Sequence, residues 1–206
     1  MNRNLLIIGA SGHGKVVADI AIQMDKWDSI AFLDDNDQLN SVMGLKILGS
    51  TKDIFKYVDE YDIFVGIGNN EIREKIYEQL NELGVSIPTL IHPSAVISEH
   101  VEIDEGTVVM AGAIINCCTN IGKGCIINTS STVDHDCVLE DFVHVSPGVH
   151  LAGSVIVGEG SWLGIGSIVS NNLEIAKKCI IGAGAVVVND LIESGTYVGV
   201  PVSMVK

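Results

Sequence analysis

From Ile91 to Ile192 the sequence repeats with a period of six residues. Seventeen consecutive hexads keep this phase without a break, and every one of them begins with Ile, Val or Leu. The fifth place of each hexad holds only Ala, Val, Thr, Cys, Ser or Leu. A six-residue period fits neither an α-helix, with about 3.6 residues per turn, nor a strand of alternating polarity. It predicts a parallel β-helix, in which each hexad forms one short strand and one turn.

Three such hexads make one triangular coil, so residues 18 apart in the sequence stack on neighbouring coils, about 4.8 Å from one another. We expect the aliphatic side chains of the first place and the small side chains of the fifth place to point inward. Gly and Asn would supply the unusual backbone conformations at the corners. Cys125, Cys137 and Cys179 share the fifth place and are therefore expected to be reduced packing residues.

Residues 1–90 follow a different pattern, in which buried strands alternate with helices. NLLIIGA, DSIAFLDDN and YDIFVGIGNN are predicted strands, and KVVADIAIQM and EIREKIYEQLNELG have helical spacing. This alternation predicts a small Rossmann-like α/β domain with a parallel sheet. The expected organisation is an N-terminal α/β domain over residues 1–90, followed by the β-helix over residues 91–206.

The composition limits the partners of the chain. A formal net charge of −14 disfavours nucleic acid and anionic membrane surfaces, because both need a basic face. The N-terminal segment, with an apolar run broken by Gly9, resembles neither a signal peptide nor a membrane helix. The five cysteines lack the spacing of a zinc site, and free thiols favour a reducing compartment. We therefore expect a cytoplasmic, bacterial-type protein that needs no metal.

A glycine-rich turn follows the first predicted strand and opens the first predicted helix. Backbone N–H groups at such a helix N-terminus bind anions, typically a phosphate. Two acidic residues at the end of the second strand are placed to accept hydrogen bonds from a ribose or a base. The candidate residues are Gly9, Gly12, His13, Gly14, Asp34, Asp35, Gly68 and Asn69. The domain is too short for a dinucleotide and suits a single nucleotide, while a glycine turn without a ligand remains the alternative.

Histidines and carboxylates concentrate in NTSSTVDHDCVLEDFVHVSPG, residues 128–148. His135 lies between Asp134 and Asp136, and a neighbouring carboxylate raises the pKa of an imidazole, which makes it a better base. The sequence leaves open which aspartate does so. His144 follows nine residues later, half a coil further on, so the two histidines do not stack on one face.

GASGHG, FLDD, IGNNEIR and the hexads around His135 resemble the sugar-nucleotide N-acetyltransferases of the hexapeptide-repeat family. Those enzymes acetylate 4-amino sugars in bacillosamine, perosamine and viosamine synthesis, and sialic acid O-acetyltransferases are related to them. The resemblance covers essentially the whole chain. It implies a left-handed β-helix, acetyl-CoA as co-substrate, and a homotrimer whose active sites are shared between adjacent chains.

The resemblance also assigns roles by position. His135 is expected to be the general base, Asp136 the acid that supports its basicity, and Asn128 a residue near the acceptor amine. The expected sugar-nucleotide contacts are Ser11, Gly12, His13, Asp34, Asp35 and Gly68. The expected acetyl-CoA contacts are His144, Ile165 and Ala183. Local charge adds Lys177 and Lys178 as candidate ligands of the coenzyme A phosphates, in a region that is otherwise acidic.

The function expected from these features is direct acetyl transfer to the 4-amino group of a nucleotide-linked 4-amino-4,6-dideoxy sugar. UDP or dTDP is favoured as the nucleotide, and GDP is a third option. Four alternatives stay open: O-acetylation of sialic acid or another sugar, a metal-dependent hydratase, a covalent cysteine route, and a non-catalytic scaffold that binds sugar nucleotides.

Overall fold

A computed structural model describes residues 4–205 of the chain. The chain divides into two compact units, the first ending at Pro93 and the second beginning at Ser94. No helix within residues 4–205 is long and apolar enough to cross a membrane.

The first unit is built on a three-stranded parallel sheet with the strand order β2-β1-β5. Its strands are β1 (Asn4–Ile8), β2 (Ser29–Leu33), β3 (Ser41–Val42), β4 (Leu45–Lys46), β5 (Asp62–Val65) and β6 (Leu90–Ile91). Its helices are α1 (Gly12–Met24), α2 (Asn70–Glu82) and a 3₁₀ helix (Thr51–Lys56). β3 and β4 pair with each other as an antiparallel ribbon. The predicted alternation of strand and helix is confirmed.

The central strand β1 explains where the core of this unit lies. Leu5, Leu6, Ile7 and Ile8 are all completely buried, as expected for a parallel strand that is covered on both faces. β1 pairs with β2 on one side and with β5 on the other, in parallel register. The carboxyl ends of β1 and β5 therefore lie side by side, and the turns that follow them begin at the same edge of the sheet.

The second unit is a parallel β-helix whose strands form three columns, and each two-residue strand covers the sixth place of one hexad and the first place of the next. The two three-residue strands at its C-terminal end lie beyond the hexads and pair with each other antiparallel. The first column contains β7 (Val96–Ile97), β10 (Ile114–Ile115), β13 (Thr132–Val133), β16 (His150–Leu151), β19 (Ile168–Val169) and β22 (Val186–Val187). The second contains β8 (Glu102–Ile103), β11 (Asn120–Ile121), β14 (Val138–Leu139), β17 (Ile156–Val157) and β20 (Glu174–Ile175). The third contains β9 (Val108–Val109), β12 (Ile126–Ile127), β15 (His144–Val145), β18 (Trp162–Leu163), β21 (Ile180–Ile181), β23 (Thr196–Val198) and β24 (Ser203–Val205).

The register of these columns confirms the predicted coil. Ile114 pairs with Thr132, and Thr132 with His150, so each partner lies 18 residues further along the chain. First-place residues such as Val133 and Val145 are completely buried, and so are the fifth-place residues Cys125, Cys137 and Cys179. The packing role predicted for these three cysteines is confirmed. The fold class is that predicted: an α/β domain followed by a left-handed parallel β-helix.

The corners of the β-helix depend on one backbone conformation. From Gly106 to Gly184, the fourth residue of every hexad has a positive φ, between 54° and 70°. Seven of these fourteen positions are not glycine, and they include Asp136, Phe142 and Lys178. Gly and Asn were expected to supply the corners, whereas the fold tolerates larger residues there because each corner is fixed by hydrogen bonds to the neighbouring coils.

Candidate active site

The glycine turn of the first unit is held by close backbone packing. Gly9 has a φ of 96°, in the region that favours glycine. A Cβ atom added to Gly14 would collide with the carbonyl oxygen of Gly9, and it would lie 3.5 Å from that of Gly66. Gly9 and Gly14 therefore let the start of α1 pack against the ends of β1 and β5.

Gly12 and Gly68 differ from the two packing glycines. A Cβ atom at either position would have no heavy atom within 4 Å, so both glycines border open space. Ser11 is the N-cap residue of α1 but makes no capping hydrogen bond with its side chain. Asn69, in contrast, is occupied as the N-cap of α2, because its side chain accepts a hydrogen bond from the backbone N–H of Ile72. Gly12 and Ser11 thus remain placed to receive an anion.

His13, at the start of α1, is half-buried and lies close enough to the buried Arg73 of α2 for that positive charge to affect it. Burial, and then the positive charge of Arg73, lower the pKa of His13 to about 4, so its imidazole is neutral at pH 7. The guanidinium of Arg73 is 2% exposed and donates hydrogen bonds to the carbonyl oxygens of Ile67 and Gly68. Arg73 therefore fixes the turn after β5. The helical spacing around Arg73 does not indicate that this residue is buried, so the sequence does not single it out.

The two acidic residues after β2 have different roles. Asp34 accepts hydrogen bonds from the backbone N–H groups of Ala10 (2.7 Å) and Asn36 (2.9 Å), so it ties the glycine turn to the end of β2. Asp35 accepts one backbone hydrogen bond, from the N–H of Thr51 (2.8 Å), but it is exposed and lines a cavity of about 510 Å³ together with Lys52 and Lys75. The geometry thus makes Asp35 the more accessible of the two predicted ligands.

The imidazole of His135 is paired with Asp136 at a corner of the β-helix. Its Nδ1 lies 2.7 Å from Oδ2 of Asp136, and this hydrogen bond, ahead of all other causes, raises the pKa of His135. Asp134 instead accepts hydrogen bonds from the side chain of Asn116 and from the backbone N–H of His135. The geometry therefore decides the question left open by the sequence: Asp136 holds the imidazole and Asp134 supports the backbone.

The pairing with Asp136 also determines which ring nitrogen of His135 can act as a base. An ionised carboxylate only accepts hydrogen bonds, so Nδ1 carries the proton in the neutral imidazole. The Nε2 atom then has a free lone pair, on a side chain that is 54% exposed. An exposed imidazole with this tautomer, oriented by a carboxylate, can accept a proton from a bound substrate.

His144 belongs to a second cluster, on the third column. It is only 9% exposed, and its Nε2 lies 3.3 Å from the side-chain nitrogen of Asn128. Its ring stacks on that of Trp162, whose Nε1 donates a hydrogen bond to the hydroxyl of Ser146. Trp162 and Ser146 are not among the predicted site residues, although the 18-residue register is enough to place Trp162 directly beside His144.

The predicted residues of the β-helix lie at three different corners. His135 follows β13 of the first column, and Lys177 and Lys178 follow β20 of the second. The remaining candidates lie in the third column or directly after it; they are Asn128, His144, Ile165 and Ala183. The register thus brings the third set together and separates it from His135 and from the two lysines within one chain.

Two chemical alternatives can be compared with this geometry. Within residues 4–205, no group of three or more His, Cys, Asp and Glu side chains is arranged to hold a metal ion. Cys117 and Cys118 are exposed and lie one coil before His135. Desolvation, followed by the nearby Cys117 and Asp136, raises the pKa of Cys118 and reduces its thiolate fraction. A covalent route through this thiol is therefore disfavoured.

Comparison with known proteins identifies the family. The family described as the PglD N-terminal domain matches residues 4–80. GDP-perosamine N-acetyltransferase from Escherichia coli O157:H7 is 30% identical over 185 residues, which cover 86% of this chain and 82% of that protein. Among solved structures, the acetyltransferase domain of PglB from Neisseria gonorrhoeae FA1090, in complex with acetyl coenzyme A, is 41% identical with a TM-score of 0.97 over 100% of both chains.

A further solved structure is PerB from Caulobacter crescentus, in complex with CoA and GDP-perosamine. It is 38% identical, with a TM-score of 0.93, and the match covers 98% of this chain and 97% of that one. These likenesses extend over both units and confirm the resemblance and the enzyme class predicted from the sequence. The chain therefore belongs to the hexapeptide-repeat sugar-nucleotide N-acetyltransferases.

Proposed function

We propose that this enzyme transfers the acetyl group of acetyl-CoA to the 4-amino group of a nucleotide-linked 4-amino-4,6-dideoxy sugar. The observation that carries the proposal is the exposed imidazole of His135, which Asp136 holds through a 2.7 Å hydrogen bond to Nδ1. Family membership supports the acetyl transfer, and the open glycine turn of the first unit supports a nucleotide-linked acceptor. Such a product would serve glycan, O-antigen or capsule synthesis.

In the proposed reaction the amine nitrogen attacks the thioester carbonyl and a new C–N bond forms. The Nε2 atom of His135 takes the proton that the amine loses, and Asp136 stabilises the resulting imidazolium. When the C–S bond breaks, the imidazolium returns that proton to the thiolate of coenzyme A. A backbone N–H group of the coil would stabilise the oxyanion. A positioned base of this kind contributes roughly 10²–10⁴-fold to the rate.

The sugar nucleotide is proposed to bind to the first unit. The N-terminus of α1, with Ser11 and Gly12, would receive its phosphates, and Gly68 would border them. Asp35 would accept hydrogen bonds from the ribose or the base. The sequence favours UDP or dTDP, whereas one relative described above is a GDP-perosamine N-acetyltransferase by name and another was solved in complex with GDP-perosamine. All three nucleotides therefore belong in the test.

Acetyl-CoA is proposed to bind along the third column, against His144, Ile165 and Ala183, with Lys177 and Lys178 near its phosphates. These residues and His135 occupy different corners of one chain. A shared ligand could reach all of them if adjacent chains of a homotrimer contribute different corners to one site. We therefore propose a homotrimer with active sites at the subunit interfaces. Light scattering at assay concentration tests it, and a fully active monomer would contradict it.

The decisive experiment is one thiol-release assay with acetyl-CoA and a panel of acceptors. The panel contains UDP-, dTDP- and GDP-linked 4-amino sugars and free sialic acid. Acetylation of the nucleotide-linked amines supports the proposal, and turnover of sialic acid alone would favour O-acetylation instead. Tight binding of sugar nucleotides without any thiol release would favour a non-catalytic scaffold.

The role of His135 needs its own pair of variants. His135→Ala is expected to lower kcat by roughly 10²–10⁴-fold while the oligomeric state is unchanged. His150→Ala is the matched control, because His150 is an exposed histidine of the same β-helix that bonds to the hydroxyl of Thr132. A near-wild-type rate in His135→Ala would remove this residue from the proposed mechanism.

A further inference from the structure

The ring of His135 lies directly against the backbone of Gly153, one coil further along the chain. A Cβ atom added to Gly153 would lie 2.6 Å from both Cε1 and Nε2 of His135, and 3.2 Å from Cδ2. Separations below 3.0 Å do not occur for real Cβ atoms, so an alanine here would force the ring to move. The three nearest atoms to that position all belong to His135.

The other glycines of the β-helix have different reasons to be glycine. Those at the fourth place, such as Gly148 and Gly160, have a positive φ of 64° and 67°. Those at the second place, such as Gly158 and Gly164, approach the backbone of the next coil, where a Cβ would lie 2.5 to 2.6 Å from a backbone atom. Gly153 is not among the residues with positive φ, and it is the single glycine at the third place of the seventeen hexads. The ring of His135 is therefore the feature that requires a glycine at residue 153.

The ring of His135 is thus constrained on two sides. Asp136 holds Nδ1 at 2.7 Å, and Asp136 is itself fixed in a corner conformation with a φ of 58°. The backbone of His135 is fixed by Asp134 and by the N–H of Ser154, which donates to its carbonyl oxygen. A methyl group at residue 153 would displace the ring relative to Asp136, because the backbone of His135 is held by hydrogen bonds and cannot move with the ring.

We propose that Gly153 is a positioning residue of the active site: it leaves open the space in which the His135 ring stands while Nδ1 stays bonded to Asp136. The proposal rests on the proposed function for the role of His135 as the base. The added point is that residue 153, which occupies the third place of its hexad one coil beyond His135, must lack a side chain. The titratable groups that act on the ring are Asp134 and Asp136 on its own hexad. Cys117 and Cys118 lie one coil earlier in the register, and Gly153 adds no titratable group.

The test compares Gly153→Ala with the full-length wild type in kinetics and in NMR titration of His135. We expect kcat to fall about tenfold or more, while KM for both substrates changes less than about threefold. Because the bond to Asp136 raises the pKa of His135, its loss should lower that pKa and move the acid limb of the kcat profile to lower pH. A loss of folded enzyme alone would lower the rate equally at every pH.

Two further variants make the outcome decisive. Gly195→Ala is the matched control, since a Cβ there meets only the flexible side chain of Met204, at 3.1 Å; it should behave as the wild type. Gly153→Ala introduced into His135→Ala should leave the residual rate within about twofold, because no ring remains to be displaced. A further tenfold loss in that double variant would overturn the proposal, as would an unchanged titration of His135 in Gly153→Ala. If Gly153→Ala does not fold, folding of the double variant supports the proposal and its failure to fold contradicts it.

The kinetics of His135→Ala and the NMR titration of Gly153→Ala test different roles. Should His135→Ala keep the wild-type rate, the proposed general base is wrong. The NMR titration of Gly153→Ala would still report whether residue 153 controls the position of the ring.

Discussion

The indole of Trp162 stacks on the imidazole of His144, with ring centroids 5.9 Å apart and planes 13° from parallel. The two residues are register partners on adjacent coils, and Asn128 approaches Nε2 of the same imidazole. Trp162 covers His144 yet is itself 47% exposed, so its outer face is available to a ligand or to another chain. The proposed acetyl-CoA contact of His144 is therefore built together with Trp162.

The stack leads to a prediction for acetyl-CoA affinity. Trp162→Ala removes the ring that holds His144 in place, and should therefore raise KM for acetyl-CoA by roughly threefold to tenfold, a loss comparable to the energy of one aromatic pair. Steady-state kinetics at saturating sugar nucleotide measure the effect. Trp162→Phe keeps an aromatic ring but removes the hydrogen bond to Ser146, and should stay close to the wild type. Equal KM values for all three proteins would show that the stack has no part in binding.

The pH dependence of the reaction should report the pairing of His135 with Asp136. A general base must be neutral, so the rate falls as the pH drops through its pKa. The hydrogen bond to Asp136 raises that pKa, which places the acid limb of kcat/KM above the ordinary value of 6.5. Asp136→Asn removes the charge, and should shift the limb to lower pH and lower the maximal rate roughly tenfold.

Asp134→Asn provides the comparison for the preceding prediction. Asp134 raises the pKa of His135 only through its charge, because its carboxylate accepts hydrogen bonds from Asn116 and from the backbone N–H of His135 and not from the imidazole. Its replacement should shift the acid limb in the same direction by less. If the shift is larger for Asp134→Asn than for Asp136→Asn, then Asp134, and not Asp136, supports the basicity of His135.

The β-helix could be predicted from the sequence because the six-residue pattern occurs seventeen times, with the same inward-facing and outward-facing places in each hexad. The 18-residue register also predicts the pairing of His144 with Trp162. The sequence does not decide between Asp134 and Asp136, because the corner conformation at Asp136 determines the direction of its side chain. The position of a residue in the repeat does not give the direction of its side chain at a corner, because that direction depends on φ and ψ.

The first unit was less predictable in detail. Its strands and helices followed from hydrophobic pattern, but the roles of individual polar residues did not. The helical spacing of EIREKIYEQLNELG does not predict a buried arginine, yet Arg73 is 2% exposed. The sequence predicts Asp34 as a ligand, but it does not indicate that the carboxylate accepts hydrogen bonds from two backbone N–H groups. Both outcomes depend on which backbone groups the fold leaves unpaired, and that is a tertiary property.

His13 should make the stability of the first unit depend on pH. In the unfolded chain it takes a proton near pH 6.5, whereas in the folded chain it does so only at about 4. Between these values the unfolded state binds more protons, so the free energy of unfolding falls as the pH is lowered. The loss approaches about 3 kcal/mol near pH 4 and is absent above pH 7.

Urea unfolding at pH 7 and at about pH 5 checks this expectation. Trp27 fluorescence in a Trp162→Phe background follows the first unit alone, because these are the two tryptophans of the chain. His13→Asn should show a smaller decrease in stability between the two pH values than the parent. His100→Asn changes an exposed histidine and should keep the decrease. If His13→Asn keeps it as well, His13 is not the group that titrates.

Gly14 and Gly12 offer a matched pair within one turn. A Cβ on Gly14 would collide with the carbonyl oxygen of Gly9, which is backbone and cannot rotate away, so Gly14→Ala should destabilise the protein by about 3 kcal/mol or more. Gly12→Ala adds its Cβ to open space and should change stability by less than about 1 kcal/mol. It should instead raise KM for the sugar nucleotide about tenfold, because the methyl group keeps the phosphates from the helix N-terminus. Urea unfolding and steady-state kinetics on both variants decide, and an unchanged KM in Gly12→Ala would mean that the phosphates bind elsewhere.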